Sequence, residues 1–237
     1  MSKNSCHVET LSVGQLATNC YIVYDKVTKD AVVIDPGDDG NYIAEKVIGL
    51  QLHPHAILLT HGHFDHILGA YELQQIFKIP CYMNTKDNFL VERMNESSEY
   101  FLHRKIIEQK PTITAISEKK LVFGTLDFTI IDCLGHTPGG VSLVLENTNT
   151  VFTGDTIFAH GYIGRTDLSY SKPLDLSVSI GKLFALSDSY TIYPGHGEPS
   201  TIGAVLSSRA KRGDPCLAGR QADEIASPAK RDRNDTT

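Results

Sequence analysis

The chain has 237 residues, 41% hydrophobic and 21% charged, with a formal net charge of −6 at neutral pH. That length buries roughly 70% or more of the unfolded surface, enough for a real core in one large domain or two small ones. The acidic balance gives no footprint for nucleic acid, and no run of about 18 apolar residues exists to cross a membrane. Five scattered cysteines, with no Cys-x-x-Cys pair, argue against a disulfide framework or a zinc knuckle and read as free thiols. The opening Met1-Ser2-Lys3-Asn4-Ser5-Cys6-His7 carries no apolar run of the signal-peptide kind, which points to the cytoplasm.

Taken in chain order, short strands and helices alternate. Val8–Val13 alternates weakly, while residues 20–24 and 31–35 are apolar and β-branched, as buried strands are. Pro36-Gly37 stops the second of these, and Ile43, Val47 and Leu50 then fall at helical spacing. Residues 56–60 form another buried strand, ending directly at His61, and a helix is expected over Ile67–Phe77. Cys81-Tyr82-Met83 resumes a strand, followed by helices around Phe89–Met94 and Tyr100–Ile107. Strands follow at 128–133, 141–145 and 150–153, then a helix over Pro173–Leu186 with Pro in its first turn, and a last strand at 190–193.

From Ala204 onward seven basic residues accompany five acidic ones, and large apolar side chains all but vanish after Leu217. The expected organisation is therefore one folded domain over 1–205 and a polar, disordered tail over 206–237. Mixed charge without aromatics does not make that tail a nucleic-acid arm.

The chemistry gathers at strand ends. Thr60-His61-Gly62-His63-Phe64-Asp65-His66 packs four ligand-type side chains into six residues, directly after a buried strand. An exposed polar turn would account for the polarity, but not for three histidines at that place. His136, Asp155 and His196 each follow an apolar strand and a glycine, which lets the backbone turn tightly and approach closely. Singly, each reads as a turn residue; together with the dense run they supply five imidazoles and two carboxylates. Such ligands suit zinc, iron or manganese, and seven are too many for one tetrahedral ion. No Gly-x-Ser-x-Gly elbow offers a serine nucleophile.

His61-x-His63-x-Asp65-His66, then His136, Asp155 and His196 in that order, resembles the pattern of metallo-β-lactamase-fold hydrolases over about residues 8–203. Gly135-His136-Thr137-Pro138-Gly139, Phe152–Phe158 and Gly161–Leu168 resemble the glyoxalase II-like branch, in its short single-domain form. The resemblance implies an α+β fold, a four-layer αββα sandwich with two mixed β-sheets and the metals at one edge. It implies two divalent metal ions, zinc first, with iron or manganese as alternatives. His61, His63 and His136 would hold the first ion, Asp65, His66 and His196 the second, and Asp155 would bridge them. Asp65 and Asp155 are the catalytic carboxylates this assigns.

The activity implied is hydrolysis of a small-molecule thioester, S-lactoylglutathione or a similar acyl-thiol, by a hydroxide shared between the ions. The chain departs from strict glyoxalase II in three places. The helical C-terminal domain is missing after about Gly203, Glu198 stands where a tyrosine is expected, and Arg165-Thr166-Asp167 replaces a Lys-x-Tyr element. Arg165 either meets an anionic substrate group or pairs with Asp167 to brace a loop. Other readings on the same fold are an iron-dependent persulfide dioxygenase using His61, His136 and Asp155, a lactonase or other ester hydrolase, and a non-catalytic metal-binding domain.

Overall fold

In a computed structural model, which describes residues 5–103, 105 and 107–212, the chain folds into two six-stranded mixed sheets packed face to face. The first holds β1 (Cys6–Val13), β2 (Thr18–Asp25), β3 (Asp30–Ile34), β4 (His53–Leu58), β5 (Cys81–Met83) and β6 (Ile113–Ala115), paired in that order. The second holds β7 (Lys120–Phe123), β8 (Leu126–Asp132), β9 (Val141–Leu145), β10 (Thr150–Gly154), β11 (Thr191–Pro194) and β12 (Ser200–Thr201), also in sequence order. Helices α1 (Gly40–Gly49), α2 (Phe64–Ile67), α3 (Ala70–Phe77), α4 (Asn88–Glu92) and α5 (Met94–Leu102) belong with the first sheet; α6 (Pro173–Phe184) and α7 (Ile202–Lys211) belong with the second. This is the expected αββα sandwich of the metallo-β-lactamase fold.

Side-chain alternation assigns the layers. Along β2, Tyr21 and Val23 face the second sheet, while Cys20, Ile22 and Tyr24 face the helices, so the whole strand is buried. Phe128, Leu143 and Phe152 meet the inward residues of β2 and β3 in the central core. Ile43, Val47, Ile67 and Leu73 cover the outer face of the first sheet; Leu176, Ile180 and Leu183 cover that of the second. Each such side chain, moved out of water, contributes about 1.5–3 kcal/mol, so three stacked cores rather than any one contact hold the sandwich. Cys20, Cys81 and Cys133 are buried free thiols within these layers, as their scattered spacing suggested.

Several elements differ from the sequence expectation. The helix expected over Ile67–Phe77 is two helices, broken at Gly69, whose N–H donates to Pro36 O at 2.9 Å instead of continuing the α2 ladder. The helix expected around Tyr100–Ile107 begins at Met94 and stops at Leu102, where His103 turns left-handed at φ 51°. Strand β4 ends at Leu58 rather than directly at His61, although Leu59 N–H still reaches Tyr82 O at 2.9 Å. Strands β6, β7 and β12 had no expectation at all, and β12 follows the strand expected to be last; all three are short, and β7 is largely exposed.

Residues 206–211, read as the start of a disordered tail, are helical. Thr201 Oγ1 caps α7 by accepting the Ala204 N–H at 3.2 Å, and Ile202 and Val205 enter the outer core. The polar character misled because one residue on the buried side is an arginine: Arg209 is 3% exposed and donates to Gly161 O at 3.2 Å. The boundary placed at 205 therefore moves past Lys211, and residues 213–237 lie outside the described part. Among the described residues no helix is long and apolar enough to cross a membrane.

Candidate metal centre

Strands β3 and β4 run parallel in one sheet, β10 and β11 in the other, so their carboxyl ends reach the same edge of the sandwich. The two sheets are stitched together there. Asn19 N–H donates to Gly195 O at 2.8 Å, Tyr21 OH to Pro194 O at 2.5 Å, and Val141 N–H to Thr60 O at 2.8 Å. The expected ligands converge on this edge from four segments, after β4, β8, β10 and β11.

His61, His63 and His136 form one cluster. His63 Nδ1 lies 3.0 Å from His61 Nε2 and 3.0 Å from His136 Nε2, so three ring nitrogens face a common point. Each ring is held from behind. Thr60 Oγ1 donates to Asp35 Oδ2 at 2.6 Å and accepts from His61 Nδ1 at 3.0 Å. His63 Nε2 donates to Tyr170 OH at 2.8 Å, and His136 Nδ1 to Arg165 O at 2.9 Å. These bonds fix the tautomer and leave each inward nitrogen with a free lone pair. Burial, followed by the neighbouring imidazoles, pushes His61 well below the usual histidine range and His63 down to about 3. Both are therefore neutral near pH 7, the state a metal ligand requires.

Asp65, His66 and His196 form the second cluster. Asp65 Oδ2 lies 3.3 Å from His196 Nε2 and 3.7 Å from His66 Nε2. His66 Nδ1 donates to Asp35 Oδ2 at 3.0 Å, and His196 Nδ1 to Leu16 O at 3.2 Å, so the Nε2 atoms again face inward. Burial alone would lower His66, but the carboxylates of Asp65, Asp155 and Asp35 outweigh it and lift the group to about 10. His196 rises in the same way, against its burial, through Asp65 and Asp155. Burial opposes ionisation of Asp65, yet His66 and His196 hold it below the usual carboxylate range.

Asp155 stands between the clusters. Its Oδ1 is 3.5 Å from His66 Nε2, and its Oδ2 is 3.6 Å from His136 Nε2 and 3.7 Å from His196 Nε2. Gly195 is required at this crowded point, because a Cβ there would lie 2.2 Å from Asp155 Oδ1 and 2.7 Å from His66 Cε1. The arrangement fits cations on an independent ground: His66 Nε2 and Asp155 Oδ1 are buried without a hydrogen-bond partner, both turned into the same space. Orphaned buried polar atoms are costly, and a divalent ion satisfies both.

Asp35, His61 and His66 also lie close enough to form a third ligand group. The Asp35 oxygens, however, already accept Thr60 N–H at 2.7 Å, Thr60 Oγ1–H and His66 Nδ1–H. Asp35 therefore orients ligands of both clusters rather than binding a cation itself. From the sequence alone, Asp35, Thr60 and Tyr170 had no site role. A charged residue closing the buried run 31–34 was the one available signal for Asp35; nothing local marks Tyr170, which is 107 positions from His63.

Of the two roles open to Arg165, the geometry matches the loop brace. Its Nε and Nη2 each lie 2.7 Å from an Asp167 carboxylate oxygen, a two-pronged pair, while its backbone carbonyl holds His136.

This fold, with histidines and aspartates gathered at one edge of two sheets, defines a metallo-hydrolase architecture. The chain belongs to the metallo-beta-lactamase superfamily, whose sequence model matches residues 13–196. It is 34% identical to "Hydroxyacylglutathione hydrolase GloC" of Haemophilus influenzae, over 89% of this chain and 98% of that protein. Among solved structures it is similar to the BLEG-1 B3 metallo-beta-lactamase, with 34% identity, a TM-score of 0.80, and coverage of 90% of this chain and 100% of that one. It is also similar to TTHA1623 in a di-iron-bound form, with 29% identity, a TM-score of 0.75, and coverage of 84% and 96%.

Proposed function

We propose that the protein is a two-metal thioesterase that hydrolyses a small acyl-thiol such as S-lactoylglutathione. The observation that carries this reading is the pair of ligand clusters joined by Asp155, together with near full-length similarity to a protein named as a hydroxyacylglutathione hydrolase. His61, His63 and His136 would hold one divalent ion, Asp65, His66 and His196 the other, and Asp155 both. Two bound cations supply an acidified water as nucleophile and positive charge for a developing oxyanion.

The chain's own residues do the rest. Thr60, Tyr170 and the Arg165 carbonyl hold three imidazoles in one tautomer and aim them inward. Thr18 Oγ1 donates at 3.2 Å to Asp65 Oδ2, the oxygen that faces His196 and His66, and so orients that carboxylate in the second cluster. A shallow depression lies beside Asp65, lined by Val13, Leu16, Phe64, Leu68 and Leu102. Water is the attacking group in this reading.

Zinc, iron and manganese all accept this ligand set, and zinc is the first choice for a hydrolase. The test is metal analysis of the purified protein, with S-lactoylglutathione, a nitrocefin-type β-lactam and a glutathione persulfide assayed before and after chelation. Two ions per chain, with chelator-sensitive thioester hydrolysis restored by added metal, is the expected result. Oxygen uptake with the persulfide and no thioester hydrolysis would replace this reading with the dioxygenase; turnover of the β-lactam alone would replace it with a lactamase.

A further inference from the structure

Asp87, at the exit of β5, has no part in either cluster, yet its side chain is completely buried. Its Oδ2 accepts the Gly62 N–H at 3.1 Å and the Thr137 hydroxyl at 2.7 Å, and its Oδ1 accepts the Gly139 N–H at 2.6 Å. Gly62 sits between His61 and His63, and Thr137 directly follows His136. One carboxylate from a third segment thus grips both loops that carry the first cluster, one from each sheet. The packing is as close as the bonding. A Cβ on Gly139 would lie 2.7 Å from Asp87 Cγ, and one on Gly62 would lie 2.9 Å from Asp87 Cβ.

The three partners are all donors. An ionised carboxylate can accept from all of them; an amide of the same shape cannot, because its NH₂ would face a donor. Burial pushes the Asp87 carboxyl up, and its three donors pull the other way. A buried carboxylate is expensive unless it is fully bonded, so keeping one here implies a structural return elsewhere.

We propose that Asp87 is a positioning residue that clamps the His61–His63 loop to the His136 loop, setting the separation of the three imidazoles to the spacing of one bound cation. The proposal rests on the metal-binding reading above. The second cluster has no bond to Asp87, so the effect is confined to the first. The Val141–Thr60 backbone bond joins the same two loops independently at 2.8 Å, so losing the clamp loosens the loops without separating the sheets.

The test is zinc titration against a chromophoric chelator in two backgrounds, with melting temperature measured on the metal-free proteins. In a His196→Ala background, which lacks a ligand of the second cluster, Asp87→Asn lowers the remaining zinc affinity about 10–100-fold. In a His63→Ala background the same substitution changes the remaining affinity by less than about twofold, because Asp87 bonds to Gly62, Thr137 and Gly139 and to no ligand of the second cluster. Thr137→Val, which removes one of the three bonds and spares the carboxylate, lowers first-cluster affinity by about fivefold. It serves as the reading variant if Asp87→Asn does not fold. Equal losses in both backgrounds, or none in the first, overturn the proposal. A parent chain that binds no zinc overturns the metal reading itself.

Discussion

The two ligand clusters lie side by side and share Asp155, yet they are built on opposite electrostatic plans. The first is three imidazoles, of which burial pushes His61 and His63 below the usual histidine range, assembled from both sheets and backed by a hydroxyl, a phenol and a backbone carbonyl. The second contains its own carboxylate and two histidines whose affinity for a proton is raised by the surrounding aspartates. One of those histidines, His196, keeps 30% of its side chain exposed and is backed only by the carbonyl of Leu16, in the turn between β1 and β2. The first cluster is therefore preorganised by the bonds behind all three rings. In the second, the surrounding carboxylates favour protonation of the histidines, so a cation competes with protons there, and one of its ligands is held less firmly. The difference teaches that ligand identity alone does not rank two metal sites; what stands behind each ligand does.

Breaking the comparison outright requires removing what both clusters share. Asp155→Ala takes a carboxylate from both at once, and thioester turnover should fall by well over about 100-fold, beyond the range for residues that only orient ligands. Asp35→Asn comes next. Its carboxylate orients His66 directly and His61 through Thr60, so zinc affinity should fall about 10–100-fold at both clusters, read by chelator competition. Loss at one cluster only would show that the Thr60 relay carries no orientation.

Two smaller effects sharpen the distinction. Tyr170→Phe removes the partner of His63 Nε2 and should weaken the first cluster by about fivefold while leaving the second unchanged, the size of one neutral hydrogen bond. Arg165→Lys and Asp167→Asn should each raise KM by no more than about twofold, because an exposed pair contributes little. Matching effects from the two variants fit a loop brace; a rise in KM from the arginine variant alone would make Arg165 a substrate contact.

Much of this site could be read from the chain. His61, His63, Asp65 and His66 stand out because dense ligand-type residues directly after a buried strand have no packing reason to be there. His136, Asp155 and His196 were legible by repetition of one local plan, an apolar strand, a glycine and a ligand. What escaped were the residues behind them. Asp35, Thr60, Asp87 and Tyr170 are ordinary polar residues in their own neighbourhoods, and their bonds to the site reach partners up to 107 positions away. The same limit hid α7: its periodicity is short, and Arg209 occupies a buried position that pattern reading assigns to an apolar residue.

Sequence by itself determined the alternation of strands and helices and the chemical inventory of the edge, because both are local, while the αββα plan followed from the resemblance that the motifs carry. Period-two burial selects strands, and a metal site demands donors that no core would otherwise admit. Only the tertiary structure decided which residues stand behind the donors, with Asp35 orienting ligands of both clusters and Asp87 joining two loops of the first, and that Arg165 turns to Asp167. Those outcomes depend on distances of about 3 Å between segments far apart in the chain, set by how two sheets pack face to face rather than by any one segment.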